Sequence, residues 1–561
     1  MAGNHSIKFG TDIYKEQDND NISYSARPSY SFRNLWDLAN DAPYQETGNF
    51  DPATGRPTSA TKYIRSNIWA FFIQDDYKIR PNLTLNLGLR WEYFTPVREK
   101  YGNISNAILG MPPNPLPDLS LRVGGDLYNP DYKDWGPQVG FAWQPDPSSS
   151  RLVVRGGIGI GYNRMEEAIT LNGRANPPLV TGLTLNGPDV LYATPDDPRQ
   201  FSGWPVNPAA ISSFSPATGL PTGGAAVTLN AFPQNLVTPR TYRYSFGTQY
   251  NFTGNWVAKL GYQGSLSRHL TIQDNLNFLY APRNPDVRNL YWFYNSANSN
   301  YNALLTELEH RFAASFQFDV QYRWSKVIDE GSNSYYIDQY PYSRSFARGP
   351  ADFDVTHLVK VYGIWAPTIF KSGGWKEKVL GGWQLTGIMN WHSGFPWTPL
   401  YSNTGCNVVY PNSGYCNLRP ANYLGGAGTD YSNSTFMQGP NANFANGALS
   451  YFTVPTFPES GIPPAPTVGR NILRGPNYFD VDMTVQKSFG LPNIKFLGEG
   501  ARIDLRANLF NIFNKLNLSP LTANSSDQMI SFDGTSSNSL FGQPQTALAG
   551  RTVELQARFT F

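Results

Sequence analysis

The side chains that could do chemistry are scattered along this 561-residue chain rather than grouped into a motif. The five histidines stand singly, at His5, His269, His310, His357 and His392. No zinc-protease, nucleophile-elbow or phosphate-loop pattern occurs, and those patterns bring a metal, a nucleophile or a nucleotide to the reacting atom. We therefore predict that the protein is not an enzyme, with no catalytic, cofactor-binding or metal-binding residues and no cofactor.

Two segments come close to ligand sites. Residues 156–161 are glycine-rich, as in a dinucleotide-binding turn, but Tyr162 stands where that turn needs a small residue. A crowded or kinked strand explains the glycines better, because glycine in a strand marks close backbone approach. Asp352, Asp354 and His357 suggest a metal cluster, but their place before a strand-like segment favours a strand-entry loop.

The two cysteines, Cys406 and Cys416, are separated by nine residues in a polar stretch. A disulfide between them would suit an oxidising compartment and would stabilise the fold by about 2–3 kcal/mol through closure of a short loop. Two free thiols remain the alternative. A metal site is not expected, because no histidine or further cysteine lies nearby in the sequence.

The composition excludes two classes of protein. With 44 Lys+Arg against 42 Asp+Glu the net charge is +2, so the chain has no electrostatic footprint for nucleic acid. No apolar run approaches the roughly 20 residues of a membrane-spanning helix. The 33 Tyr, 34 Phe and 14 Trp are instead typical of the aromatic girdles of a membrane β-barrel.

Apolar and polar residues alternate strictly in the last segment. Val553, Leu555, Phe559 and Phe561 share one face, and charged or polar residues occupy the other. One face suits lipid and the other suits water. The same period of two predicts about fourteen strands, near 5–15, 66–79, 82–95, 136–146, 151–163, 239–252, 255–267, 301–313, 315–327, 355–366, 380–392, 476–489, 500–514 and 549–561.

The connections alternate between short and long. The short ones lie near 80–82, 146–150, 253–255, 313–314, 367–379 and 490–499, and the long ones near 16–65, 96–135, 164–238, 268–300, 328–354, 393–475 and 515–548. An antiparallel transmembrane β-barrel of about fourteen or more strands has this pattern, with short periplasmic turns and long extracellular loops. The long loops either bind a ligand or cover the barrel mouth and pack on each other.

The polar faces of several strands carry charges that this register points inward. They are Arg90, Glu92, Glu307, Glu309, Arg323, Asp504, Arg506, Glu554 and Arg558. Opposite signs on neighbouring strands predict a polar lumen. These groups either form solvated ladders that stabilise the barrel or contact a plug or a solute.

Several motifs, in shared order, resemble the barrel of TonB-dependent outer-membrane receptors, especially the Oar-like branch. They lie at 72–92, 136–143, 154–162, 348–357, 382–388, 393–396, 469–476 and 508–514, with the aromatic C-terminus. The resemblance implies a plugged barrel of about 22 strands in the Gram-negative outer membrane. It implies uptake or export of a bulky extracellular ligand, driven by the TonB complex.

The resemblance also implies that the barrel-assembly machinery reads Val553, Leu555, Phe559 and Phe561 as a C-terminal signal. No signal peptide, plug domain or TonB box is recognisable, so we expect residues 1–561 to be the C-terminal portion of a longer receptor. That receptor would contact TonB through its missing N-terminal part. Two alternatives stay open, a self-contained passive porin or surface adhesin, and a soluble all-β carbohydrate-active protein.

Overall fold

The structure is a computed structural model that covers nearly all of the predicted strands. It describes residues 3–20, 28–58, 61–191, 206–223, 226–280, 282–333, 340, 342–368, 375–401, 419–420, 422–423, 452–453, 465, 469–491, 501–521, 542, 544 and 546–561.

Fourteen long strands form the framework of the fold. In chain order, β1–β14 span His5–Asp20, Lys62–Arg80, Leu83–Phe94, Asp134–Trp143, Leu152–Tyr162, Arg240–Thr253, Trp256–Asn275, Val287–Ala313, Phe316–Asp329, His357–Trp365, Trp383–His392, Tyr478–Gly490, Arg502–Phe510 and Thr552–Thr560. Each strand pairs antiparallel with the next one along the chain. This confirms the predicted antiparallel sheet.

Shorter elements lie between these strands. Three of them extend the main sheet to seventeen strands, Arg98–Glu99, Val227–Ala231 and Gly349–Pro350. A separate three-stranded sheet consists of Ser29–Ser31, Gln45–Phe50 and Thr181–Asn186. The small two-stranded sheets pair Ser105–Ile108 with Ser120–Val123, Pro396–Trp397 with Leu473–Arg474, Leu400–Tyr401 with Arg419–Pro420, and Asn422–Tyr423 with Phe452–Thr453. The α-helices are Leu35–Ala39, Glu167–Thr170, Leu276–Leu279 and Trp375–Leu380, and the 3-10 turns are Leu171–Ala175, Gly187–Asp189, Pro208–Ala210 and Arg344–Phe346. Among the helices of the described ranges, none has the length and apolar content needed to cross a membrane.

Five strands are longer than the alternation predicts, and all five extend at the end that meets a long loop. The largest difference is in β8, which begins at Val287 rather than near residue 301. β1, β2, β7 and β9 show the same lengthening. In β7 and β8 the extended ends are buried or half-buried on both faces, so they lack the polar and apolar alternation by which a half-exposed strand is predicted.

Several strands are shorter than predicted by a few residues, and the largest difference is in β13. β13 ends at Phe510 instead of continuing to residue 514, because Asn511 and Asn514 adopt left-handed backbone angles of φ 48 and φ 50. The Asn511 side chain closes the turn by accepting a hydrogen bond from the Lys515 N–H at 2.8 Å. The chain is thereby turned out of the sheet.

The sheet has an inverted distribution of polarity. Large apolar side chains on one face are exposed, including Phe9 at 82%, Leu555 at 79% and Ile158 at 59%. Charged side chains lie on the opposite face, where several are half-buried against one another. A water-soluble sheet hides its apolar face, so this arrangement suits a sheet bathed in lipid on one side.

The two ends of the sheet are β1 and β14. Each pairs with a single neighbour, β2 and β13 respectively. No backbone pairing joins β1 to β14 in the described part of the chain. The fourteen strands therefore form a continuous wall whose two edge strands retain unpaired backbone groups.

Candidate functional site: the charged face and the loop layer

One face of the wall, the charged face, carries every charged residue that the sequence analysis points inward. Directly paired residues share a face, as do residues two apart on one strand. The register links the set strand by strand, for example through the pair Asp504–Arg558 and the pair Glu309–Asp319. The nine residues are Arg90, Glu92, Glu307, Glu309, Arg323, Asp504, Arg506, Glu554 and Arg558. That this face lines a barrel interior remains a prediction.

Arg90 is the centre of one charge group on this face. Its guanidinium donates to Glu92 through Nε and to Asp12 through Nη1, at 2.9 Å in each case. These contacts join β3 to β1 across β2. Because two carboxylates share one arginine, the group keeps a net negative charge, and its contacts tighten the wall near its loop end.

A second group surrounds Lys259 on β7. Its ammonium lies 2.6 Å from Glu307 Oε1 and 3.4 Å from Glu309 Oε2. Glu309 also lies 3.5 Å from Arg311 Nε. Asp319 is 3% exposed and accepts a hydrogen bond from the Tyr362 hydroxyl at 3.0 Å. The carboxylates of Glu307, Glu309 and Asp319 come within 4.8 Å of one another, and Lys259 contacts the first two.

The remaining charges lie on the last two strands, except Arg323 on β9. Asp504 accepts from the Ser488 hydroxyl at 2.5 Å and pairs with Arg502 at 3.3 Å. Glu554 accepts from the Asn508 amide at 3.3 Å. The Nε atoms of Arg506 and Arg323 are buried with no hydrogen-bond partner among the described residues. Some charges on this face are therefore paired, whereas Arg323 and Arg506 each retain an N–H donor without an acceptor in the described part of the chain.

Two cavities open on the charged face. One of about 380 Å³ is lined by β5–β10, and one of about 590 Å³ is lined by β2–β8. Glycines of the segment 156–161 line the larger cavity, and that segment lies in β5 as predicted. The close packing predicted for this glycine-rich strand is also present, because a Cβ atom added to Gly156 would lie 2.7 Å from the Phe141 ring.

The long loops form the second region, the loop layer. Two buried apolar clusters fill it. They consist of Ile64, Val97, Ile104, Leu127, Met165, Ile169, Leu171, Phe232, Leu236 and Phe293, and of Ala107, Leu116, Leu119, Leu220, Val227, Leu229, Ala231, Leu276, Val287 and Leu290. Their members come from four of the predicted long loops. In the described ranges these loops pack on each other, which is one of the two alternatives that the sequence left open for the long loops.

Buried asparagines hold the loop layer together. Asn106 donates to the carbonyls of Leu127 and Phe232 at 3.0 and 2.9 Å and accepts from the Phe232 N–H at 2.9 Å. Asn176 makes the same kind of bonds to Ser105 and Asn230. Loop backbone that lacks a sheet partner is thereby satisfied by side chains, as buried polar groups require.

A cluster of charges, the arginine clamp, fastens the loops above β9–β12. It consists of Arg470, Arg474, Asp329, Asp352 and Asp354. Arg470 pairs with Asp329, lies 3.1 Å from Asp352 Oδ1 and donates to the Ala347 carbonyl at 3.0 Å. Arg474 pairs with Asp354. Burial lowers the pKa of Arg470 to about 10, which still leaves it charged at neutral pH.

The clamp explains the segment that suggested a metal cluster. Asp352 and Asp354 lie at a strand entry and bind arginines, while His357 Nδ1 lies 2.8 Å from the Tyr322 hydroxyl on the neighbouring strand. Sequence reasoning missed Arg470 and Arg474 as their partners. One signal was available in the sequence. Segments 348–357 and 469–476 both belong to the motifs that resemble the receptor family, and these two segments contact each other in the fold.

Two further predictions concern residues outside the charged face. Val553, Leu555, Phe559 and Phe561 lie exposed on the apolar side of β14 and the residue after it. Their role as an assembly signal remains a prediction. Residues 406 and 416 lie outside the described residues, and their disulfide also remains a prediction.

Comparison with known proteins points in one direction. A family model described as the outer membrane beta barrel domain matches residues 1–554. No curated protein matches the chain in sequence.

Similar solved structures include the outer membrane transporter YddB from Escherichia coli, at 9% identity and TM-score 0.48, covering 99% of this chain and 52% of that one. Another is the siderophore receptor PirA from Acinetobacter baumannii, at 10% identity and TM-score 0.44, with coverages of 99% and 52%. A third is the FrpB iron transporter from Neisseria meningitidis, at 11% identity and TM-score 0.43, with the same coverages. This chain thus spans about half the length of these structures.

Proposed function

The chain belongs to the outer membrane beta barrel domain family, and from that membership we propose that it forms most of the wall of a TonB-dependent receptor. It is a protein of the Gram-negative outer membrane. The proposed activity is uptake or export of a bulky extracellular ligand. The complete receptor would carry a plug and would contact the TonB complex through a part N-terminal to this chain.

The observation that carries the proposal is the combination of the wall with the loop layer. The wall has one apolar and one charged face, and the described parts of the long loops at one end pack around their own apolar cores and are held by the arginine clamp. A passive pore needs an open mouth. Loops with an apolar core of this size suit a surface that recognises a ligand and closes the barrel mouth. The motifs of this chain that resemble the Oar-like branch, and that follow the same order along the sequence, support the same proposal.

The test begins with the native protein in outer membranes. Its size and N-terminal sequence are measured after capture with an antibody raised against residues 406–416, and TonB is sought by cross-linking in the same membranes. A species much larger than 62.5 kDa that carries a plug and cross-links to TonB would support the receptor. A species near 62.5 kDa that forms open pores in planar bilayers without TonB would favour the passive porin or adhesin.

The C-terminal strand supplies a test of assembly. We propose that Phe561, which is 82% exposed, forms part of the signal read by the barrel-assembly machinery. Deleting Phe561 in the full-length protein should lower the amount in the outer membrane, measured by immunoblot of separated membranes. The control Phe561→Tyr keeps an aromatic terminus and should assemble normally. Equal amounts for the deletion and the control would contradict the signal.

A further inference from the structure

The smaller cavity on the charged face is built from six neighbouring strands, β5–β10. Its floor includes Gly247 and Gly261, which have no side chains to fill it. The other lining positions are mostly polar or charged. The result is a depression of about 380 Å³ at which backbone and charged side chains meet.

Positive charge dominates the lining. Arg155, Lys259, Arg323 and Lys360 line the cavity, against the single carboxylate of Glu307. Lys259 lies 2.6 Å from Glu307, so these two charges neutralise each other. The nearby carboxylates are also engaged, Glu309 by Lys259 and Arg311, and Asp319 by the Tyr362 hydroxyl. Arg155, Arg323 and Lys360 form no ion pair with any of these carboxylates.

These three cations have no direct protein partner in the described part of the chain. Arg155, Arg323 and Lys360 make no hydrogen bond or ion pair there through their side chains. The Nε atom of Arg323 is buried and has no acceptor. Arg155 and Lys360 are otherwise exposed to solvent. Like charges gathered at one cavity repel one another, and a bound anion would relieve that repulsion and accept their hydrogen bonds.

We propose that this cavity binds an oxyanion of the phosphate class carried by a solute. Two guanidinium groups can each donate in a fork to tetrahedral oxygens, and the ammonium of Lys360 adds a point charge. The proposal depends on the proposed orientation of the charged face toward the barrel interior. It adds a ligand chemistry, which the receptor proposal leaves open.

The test measures binding of inorganic pyrophosphate to the native protein, purified from outer membranes in non-ionic detergent, by titration calorimetry. Saturable binding is expected, and Arg323→Gln or Arg155→Gln should each weaken it about tenfold or more by removing a charged fork. Arg506→Gln is the matched control, an arginine on the same face but three strands beyond β10 with an equally unpartnered Nε. Its affinity should stay within about twofold, because Arg506 does not line this cavity.

Protection of Lys360 from acetylation gives a second measurement that needs no variant. Pyrophosphate should slow acetylation of Lys360 in the unaltered protein, as followed by peptide mass spectrometry. Absence of saturable binding, equal weakening by Arg506→Gln, or unprotected Lys360 would each overturn the site. TonB cross-linking is unaffected by these results, so a failure of the anion site is distinguishable from a failure of the receptor proposal.

Discussion

The wall and the loop layer bury opposite kinds of side chain. In the wall, Phe9 and Leu555 are largely exposed, while Asp504 on the charged face is 1% exposed. In the loop layer, Leu229 and Ile104 are fully buried, as in a water-soluble domain. Both regions belong to one chain and share strands, since β8 runs from the loop layer into the wall.

The difference shows that each region depends on a different solvent. In the described part of the chain the buried apolar clusters lie in the loops and not on the charged face, so the wall depends on backbone pairing and on lipid against its apolar face. The loop layer gains its stability from the hydrophobic effect in water. Changes that remove apolar contacts should therefore affect the loop layer in any medium, whereas changes to the apolar face of the wall should matter mainly in a membrane.

The largest expected effect comes from breaking the arginine clamp. Arg470→Met should destabilise the loops above β9–β12 by about 3–5 kcal/mol, because it leaves Asp329 buried without its partner. Native-state hydrogen exchange should show lost protection around residues 345–356 and unchanged protection in β3 and β4. Arg348→Met, at an exposed arginine on the same loop, is the control and should change little. Equal loss of protection in the wall would show that the two regions are not separable.

Truncation of a loop-layer leucine tests the water-type core. Leu229→Ala should cost about 2–5 kcal/mol through loss of apolar contact and the cavity left behind. Leu260→Ala removes the same atoms from the apolar face of the wall, where Leu260 is 52% exposed, and should cost much less in detergent. Unfolding in detergent, followed by proteolysis of the loops, compares the two. Similar costs for both variants would remove the distinction between the regions.

A charge on the apolar face tests the wall from the other side. Leu87→Arg should destabilise the wall by about 2–4 kcal/mol in lipid vesicles if residue 87 lies near the bilayer midplane. Leu35→Arg places the same charge on an exposed loop helix and should be tolerated. Denaturant unfolding in vesicles measures both variants. An unaffected Leu87→Arg variant would mean that this face does not meet the hydrocarbon.

The smallest effect is a pH dependence confined to the loop layer. Glu46 is 2% exposed and accepts from the Leu191 N–H and the Asn207 amide, and burial raises its pKa. The folded loop then holds a proton at pH values where the unfolded loop has lost it, so this contribution to stability falls as pH rises through that interval.

Hydrogen exchange checks this prediction. Protection of residues 45–50 should increase modestly between pH 7 and pH 5, after correction for the intrinsic pH dependence of exchange. In Glu46→Gln that increase should vanish, because the side chain no longer titrates. An increase of the same size in the variant would assign the effect to another group.

The wall could be predicted from sequence because its strands obey a strict local rule. In a strand between lipid and water, apolar and polar residues alternate. The sequence of β3 or of β14 alone is therefore enough to predict that strand. The extended end of β8 was missed because it is buried on both sides and has no such alternation. The early end of β13 was missed because it depends on the backbone angle of one residue, Asn511.

The loop layer and the charged groups were predicted less completely. Arg470 meets Asp329 across 141 positions of sequence, and no periodicity links them. Asn106 and Asn176 look like ordinary loop residues, and only the fold shows them buried. The inward charges were identified from alternation, but which of them pair, and which remain without a partner beside a cavity, depends on neighbours several strands away in the sheet.

The central claim is that the two faces of the wall meet different solvents, and spin labelling tests it most directly. Single nitroxide labels are placed at each position from 85 to 90 in a background with both cysteines replaced by serine, and the protein is reconstituted in lipid vesicles. Oxygen accessibility should peak at positions 85, 87 and 89, and accessibility to a water-soluble nickel complex should peak at 86, 88 and 90. A flat profile, or peaks in the opposite phase, would contradict the account.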